Sequence, residues 1–134
     1  MHTTTFSVRT RDRDEMIDIT RSVQQAIGEA GVAGGAVTVY VPHTTAGVTI
    51  NENADPDVIH DVLLALDQAV PWRQSFYQHG EGNSAAHVKS SIVGCQTTVP
   101  IVDGQMTLGT WQSIFFCEFD GPRTRRVIVT VAGQ

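Results

Sequence analysis

Residues 113–131 read SIFFCEFDGPRTRRVIVTV. Both ends are strand material, β-branched and aromatic over Ser113–Phe119 and Val127–Val131. Asp120-Gly121-Pro122 between them is turn chemistry. Working outward, Gln96–Val102 and Met106–Leu108 are further β-like runs on either side of a turn at Asp103-Gly104. Ala36–Val41, AVTVYV, is a strand that Pro42 ends, and Ala46–Ile50 is another short one. Residues 5–10, TFSVRT, alternate polar and apolar, and Met16, Ile17 and Ile19 suggest one more strand. Three segments have helical punctuation instead. Thr20 reads as an N-cap ahead of Val23, Ala26, Ile27 and Ala30, with Gly31 as the stop. Asp55-Pro56 opens a helix with an apolar face of Val58, Ile59, Val62, Leu63, Leu66 and Val70, which Pro71 closes. Asn83 or Ser84 caps a short helix to Val93, ended by Gly94. The pattern predicts a compact α+β single domain over residues 1–134, with about eight strands and two or three helices.

The size agrees, because 134 residues make one domain that buries a core without staples. The hydrophobic share of 41% is that of a globular chain and not a disordered one. A net charge of -5 repels nucleic acid and anionic lipid, so neither is an expected partner. No apolar run approaches membrane length, and the N-terminus lacks the core of a signal peptide, so the expected place is the cytoplasm. Cys95 and Cys117 have no CxxC spacing and read as two buried, reduced thiols, with a disulfide as the alternative.

Three polar stretches interrupt the apolar pattern beside strand ends, where functional loops tend to lie. They are residues 42–55, residues 79–89, and residues 108–126. Three neutral imidazoles, His43, His79 and His87, with one open position would suit a zinc-like ion. The alternative is that they are hydrogen-bonding loop histidines; His2 and His60 read as surface residues. The loop HGEGNSAAH aims backbone N–H groups at an anion from a helix start. Lys89, the only lysine, and Arg123 would add charge there. Arg125 and Arg126 read as solvated, and strand alternation lets at most one of them share the face of Arg123. Glu52, at a strand end, is a candidate general base or metal ligand. Glu118 is either exposed on an alternating strand or buried with a partner. Trp111 reads as core or interface. No nucleophile triad stands out, although Thr44 and Thr45 adjoin His43.

Three blocks in this order, HTTAGVTINENADPDV, HGEGNSAAHVKSSIVG and LGTWQSIFFCEFDGPRTRRV, resemble the secondary thiamine-phosphate synthase family, also called YjbQ-like. The resemblance runs over nearly the whole chain; Ser84 and Ala85 are its local departure. It implies an α+β fold with a mixed sheet, a homotrimer, and a polar pocket associated with a divalent ion, zinc or magnesium. Carried onto this chain, it implies His43, His79 and His87 for metal. Glu52, Lys89 and Arg123 would be catalytic, and Thr44, Asn83, Gln112 and Arg123 would bind substrate. The implied reaction joins a pyrimidinylmethyl diphosphate to a thiazole phosphate and releases diphosphate. The thiazole nitrogen is the nucleophile, so the protein need not supply one. The competing expectation is a non-catalytic trimeric module that binds a metal or a phosphorylated metabolite.

Overall fold

A computed structural model describes residues 1–134. The chain order is β1 (His2–Arg9), β2 (Glu15–Asp18), α1 (Thr20–Ala30), β3 (Gly35–Tyr40), β4 (Ala46–Glu52), α2 (Pro56–Ala69), α3 (Ser84–Val93), β5 (Gln96–Val102), β6 (Gln105–Met106), β7 (Gln112–Glu118) and β8 (Thr124–Gly133). The eight strands form two sheets, β1-β8-β3-β5-β6 and β2-β7-β4. Every pairing is antiparallel, which corrects the expectation of a mixed sheet. The reason lies in the connections. α1 leads from β2 in the small sheet to β3 in the large one, and α2 with α3 lead from β4 to β5 in the same sense. A helical crossover makes parallel neighbours only when it returns to its own sheet.

The small sheet is buried on both faces, which is why SIFFCEF is apolar without alternation. Ile114 and Phe116 join Val37, Val39, Val127, Val129, Val131 and α1's Val23 and Ile27 in the main core. Phe115, Cys117 and Met16 face the other way, toward Ala86 of α3 and the half-buried Ile59, Val62, Leu63 and Leu66 of α2. Each fully buried Phe, Ile or Val in these clusters stabilises by about 1.5–3 kcal/mol. The outer face of the large sheet carries an uncharged row. Thr3, Thr130, Thr38 and Thr98 are in register across four strands. No helix is long and apolar enough to cross a membrane.

Local signals hold at two helix ends and shift at a third. Asp55 accepts the Asp57 N–H at 2.9 Å as the cap of α2, and Gly31 takes the left-handed conformation that ends α1. Thr20 lies inside α1 and not before it. Its hydroxyl instead accepts the Ile114 N–H at 2.9 Å, tying α1 to β7. Trp111 is 64% exposed, and Cys95 is exposed while Cys117 is buried, so one of the two thiols departs from expectation. Burial pushes the Cys117 thiol up to about 12, which keeps it protonated and unreactive.

Lys89 fixes α3 in place. Its side chain is 0% exposed, and its ammonium donates to Asp14 at 2.6 Å and Asp67 at 2.9 Å. Arg13 bridges the same two carboxylates and stacks over Trp72. On the other flank, Ser90 donates to the Ala46 carbonyl at 2.7 Å. A Cβ on Gly47 would stand 2.5 Å from the Gly94 carbonyl oxygen, so only glycine lets α3 seat this closely on β4.

Lys89→Ala removes a fully buried side chain and leaves Arg13 as the only cation on Asp14 and Asp67, and chemical denaturation should show a loss of about 2 kcal/mol. The hydrogen bond from Lys89, assisted by its charge and that of Arg13, holds the Asp67 carboxyl below its ordinary value of 3.8 in the fold. A carboxyl depressed in the folded state stabilises above its unfolded value and stops doing so as pH falls through the folded one. Wild-type stability should therefore decline below about pH 4, and that part of the decline should shrink in the Lys89 variant.

Candidate functional site

One open cleft, about 720 Å³, lies between the ends of β3, β4 and β8 and the start of α3. Pro42, which stops β3, throws the chain into the turn that carries His43, Thr44 and Thr45. The glycine-rich loop before α3 brings His79 and Glu81, and α3 itself brings Asn83 at its cap and His87 one turn in. The turn between β7 and β8 contributes Asp120 and Arg123, and β8 contributes Arg125.

The floor is a buried ion pair. Arg125, 4% exposed, donates through Nε and Nη2 to the two oxygens of Glu118, which is completely buried. Arg125 Nη2 also reaches the Thr45 hydroxyl at 2.8 Å. Glu118 accepts in addition from Thr10 at 2.8 Å and from the N–H groups of Phe119 and Asp120 at 3.1 Å. Burial alone would push the Glu118 carboxyl up; the hydrogen bonds, led by those from Arg125, outweigh it and hold it below the usual range. The Thr10 hydroxyl accepts the Arg123 N–H at 2.9 Å, so the backbone of one arginine and the guanidinium of the other hang on the same network. Asp120 then holds the Arg123 side chain, accepting from Nη2 at 2.9 Å and taking the Asn83 amide N–H at 2.8 Å.

The three imidazoles differ. His43 Nε2 accepts the Arg126 backbone N–H at 2.9 Å. A ring that accepts at Nε2 carries its proton at Nδ1, so His43 is a neutral donor. Burial, then the charges of Arg125 and Arg126, lower its pKa from the ordinary 6.5. His79 and His87 stand edge to face with ring centroids 5.1 Å apart, on the loop and helix that flank the opening. Neither of their side chains hydrogen-bonds within the protein.

The cleft thus gathers six of the sequence-expected residues: His43, His79, His87, Thr44, Asn83 and Arg123. Three others lie elsewhere. Lys89 points into the ion cluster with Asp14 and Asp67. Glu52 and Gln112 pair with each other at the far end of β4 and β7, about 20 Å along the strand from Ala46, where the cleft turn ends. Gln112 there caps a turn by accepting the Gly109 N–H at 2.8 Å. Conversely, Arg125 was expected in solvent and is buried at the floor. The signal for it was the two-residue period of β8, which puts Arg125 on the face of Val127, Val129 and Val131. Glu118 resolves as buried with a partner.

No three His, Cys, Asp or Glu side chains of the chain converge on one point. His43 has committed its only lone pair to Arg126. A three-imidazole ligand set does not fit this arrangement; what the chain offers together is the pair His79 and His87.

Residues 4–134 match the family described as UPF0047 protein YjbQ-like. The chain belongs to that family. The Bacillus subtilis UPF0047 protein YugU is 54% identical over 96% of this chain and 98% of its own length. The Methanocaldococcus jannaschii UPF0047 protein MJ1081 is 52% identical over 96% and 93%. Among solved structures, a YjbQ/UPF0047 protein of Clostridium acetobutylicum superposes with a TM-score of 0.94 at 50% identity, covering 96% of this chain and 99% of that one. The hypothetical protein APE1520 of Aeropyrum pernix gives 0.94 at 36% identity, with 100% coverage of both chains. These names state a family and no reaction. The shared YjbQ-like architecture is therefore established independently of any activity.

Two measurements check the site's internal wiring. Long-range 15N–1H correlation spectra should show His43 as the Nδ1–H tautomer at pH 7, titrating below 6.5. Glu118→Ala, which strands the Arg125 charge in the interior, should cost about 4 kcal/mol in denaturant unfolding.

Proposed function

We propose that this YjbQ-like protein is an enzyme acting on a phosphorylated small molecule, and that its cleft assists the departure of a phosphate-type leaving group. The observation that carries the reading is one of unspent valence. Two imidazoles without internal partners, one neutral imidazole that keeps a free N–H, and two arginines braced by carboxylates share a single cleft. Such groups answer an anion on one side and a proton transfer on the other.

The transfer implied by the family resemblance suits these groups. A thiazole nitrogen attacks the pyrimidinylmethyl carbon; the carbon–oxygen bond to diphosphate breaks, and its electron pair leaves with the diphosphate oxygen. Arg123, at the rim, and the Nδ1–H of His43 would stabilise the charge that develops there. His79 or His87 would supply a proton to the leaving group. No protein nucleophile is required, consistent with a Cys117 thiol that is buried and protonated. Lys89, Glu52 and Gln112 have no part in this reading, since they stand outside the cleft.

A second reading rests on the His79–His87 pair. Two adjacent imidazoles can hold a divalent ion whose other ligands come from phosphate oxygens or water, in a binding module without turnover. Its natural setting is the homotrimer, for which the uncharged threonine row on the outer face of the large sheet offers a contact surface.

Diphosphate release from the two phosphorylated substrates decides between them. His79→Ala, His87→Ala and Arg123→Ala should each lower the rate by about a hundredfold in a folded protein. Turnover that survives all three changes would sink the enzymatic reading. Thermal stabilisation by the phosphorylated compounds with no product would favour the binding module.

A further inference from the structure

The floor of the cleft holds a charge whose bonding is incomplete. Arg125 has five N–H donors. Nε and Nη2 are spent on Glu118 and Thr45, and Nη1 makes no hydrogen bond within the protein. Of all buried side-chain nitrogens and oxygens cut off from solvent, only Asn83 Oδ1 lacks a partner. Nη1 is therefore not sealed in. On a side chain that is only 4% exposed and lines the cleft, the opening it meets is the cleft itself. A guanidinium gripped along one edge by a bidentate carboxylate has its other edge fixed in direction as well. This is a preorganised donor, with no rotamer to freeze when a ligand arrives.

The neighbours specify what Nη1 meets. His43 lies close enough for the Arg125 charge to lower its pKa, and its remaining N–H is also a donor. The carboxylates that line the cleft are Glu81, on the glycine-rich loop, and Asp120, in the β7–β8 turn, and Asp120 is already engaged by Asn83 and Arg123. Arg123 is half exposed at the rim and held through a single residue, so it is the more mobile of the two cations.

We propose that Arg125 is the anchor for the ligand's phosphate, through the two N–H groups of Nη1, and that Glu118 and Thr45 are positioning residues that aim it. This rests on the reading of the cleft as a phosphate site and adds which residue seizes the anion and why a buried ion pair lies beneath it. Lysine cannot replace arginine here. One ammonium can pair with Glu118 or reach the cleft, but it lacks the second edge that lets arginine do both.

Inorganic pyrophosphate is the probe, and the readouts are calorimetric affinity and the side-chain 15N resonances of Arg125, assigned in wild type by through-bond correlation to its own backbone amide. In wild type, pyrophosphate should shift the Arg125 signals. Arg125→Lys should stay folded, because Glu118 keeps a cation, and bind about tenfold more weakly or worse. Thr45→Val, which removes one brace but leaves the ion pair and the side-chain shape, should weaken binding by about threefold without a matching loss of thermal stability. Undiminished binding in Arg125→Lys, alongside loss in Arg123→Ala, would overturn the anchor while leaving the phosphate cleft intact. A wild-type protein that binds no pyrophosphate would overturn both. Should Arg125→Lys fail to fold, unshifted Arg125 signals in pyrophosphate-bound wild type reject the anchor just as directly.

Discussion

Glu118 and Arg125 come from different sheets, β7 from the small one and β8 from the large one, and both are withdrawn from water where the two sheets meet. Removing a carboxylate and a guanidinium from solvent costs several kcal/mol apiece unless every lone pair and proton finds a partner. The surrounding structure supplies those partners almost completely. Thr10 at the end of β1, Thr45 at the head of β4 and the backbone of Phe119 and Asp120 all bond to the pair. These contacts fix the relative placement of four chain segments, and the cleft lies directly above them. A hydrophobic pair of the same volume would close the sheets at less cost. It would not leave one edge of a cation facing the cleft.

The site is built on strand ends and a helix start, not on one long loop. β3 and β4 meet at His43–Thr45, and β7 and β8 meet at Asp120–Arg123; α3 is clamped by Lys89 below and by Ser90 and Gly47 at its side. Two of the exposed lining residues, His79 and Glu81, sit on the one glycine-rich segment, and Arg123 stands at the rim on the β7–β8 turn. Rigid floor and adaptable rim are thereby separated along the chain. That division suits a site that must orient one charged group firmly and admit or release another.

Much of this was readable from the sequence because period and punctuation are local properties. The eight strands and three helices follow from β-branched runs, caps and glycine stops. The gathering of His43, His79, His87 and Arg123 followed from polar residues beside strand ends. What escaped depended on depth. Lys89 carries the right charge one turn along the right helix, but the helix turns it away from His87 and into Asp14 and Asp67, partners far off in sequence. Glu52 follows a strand whose near end is the site and whose far end is not; spacing gives no sign of which end matters. Arg125 was hidden by the ordinary expectation that arginines lie in water. The strand period that would have placed it inside was outweighed by its polarity. The antiparallel pairing of the sheets is likewise a property of which sheet each crossover returns to, and that is written in no single segment.

The position of Lys89 also has a consequence for covalent chemistry. It is the only lysine in the sequence, and its ammonium is fully enclosed by two carboxylates. The folded surface therefore offers no lysine amine to acyl donors, reducing sugars or amine-reactive crosslinkers. Modification at this side chain can proceed only from a state in which α3 has come away from the loop that carries Asp14 and from α2. A lysine-directed reagent would act on this protein as a clock for that opening, since its rate would count local unfolding events and not surface encounters.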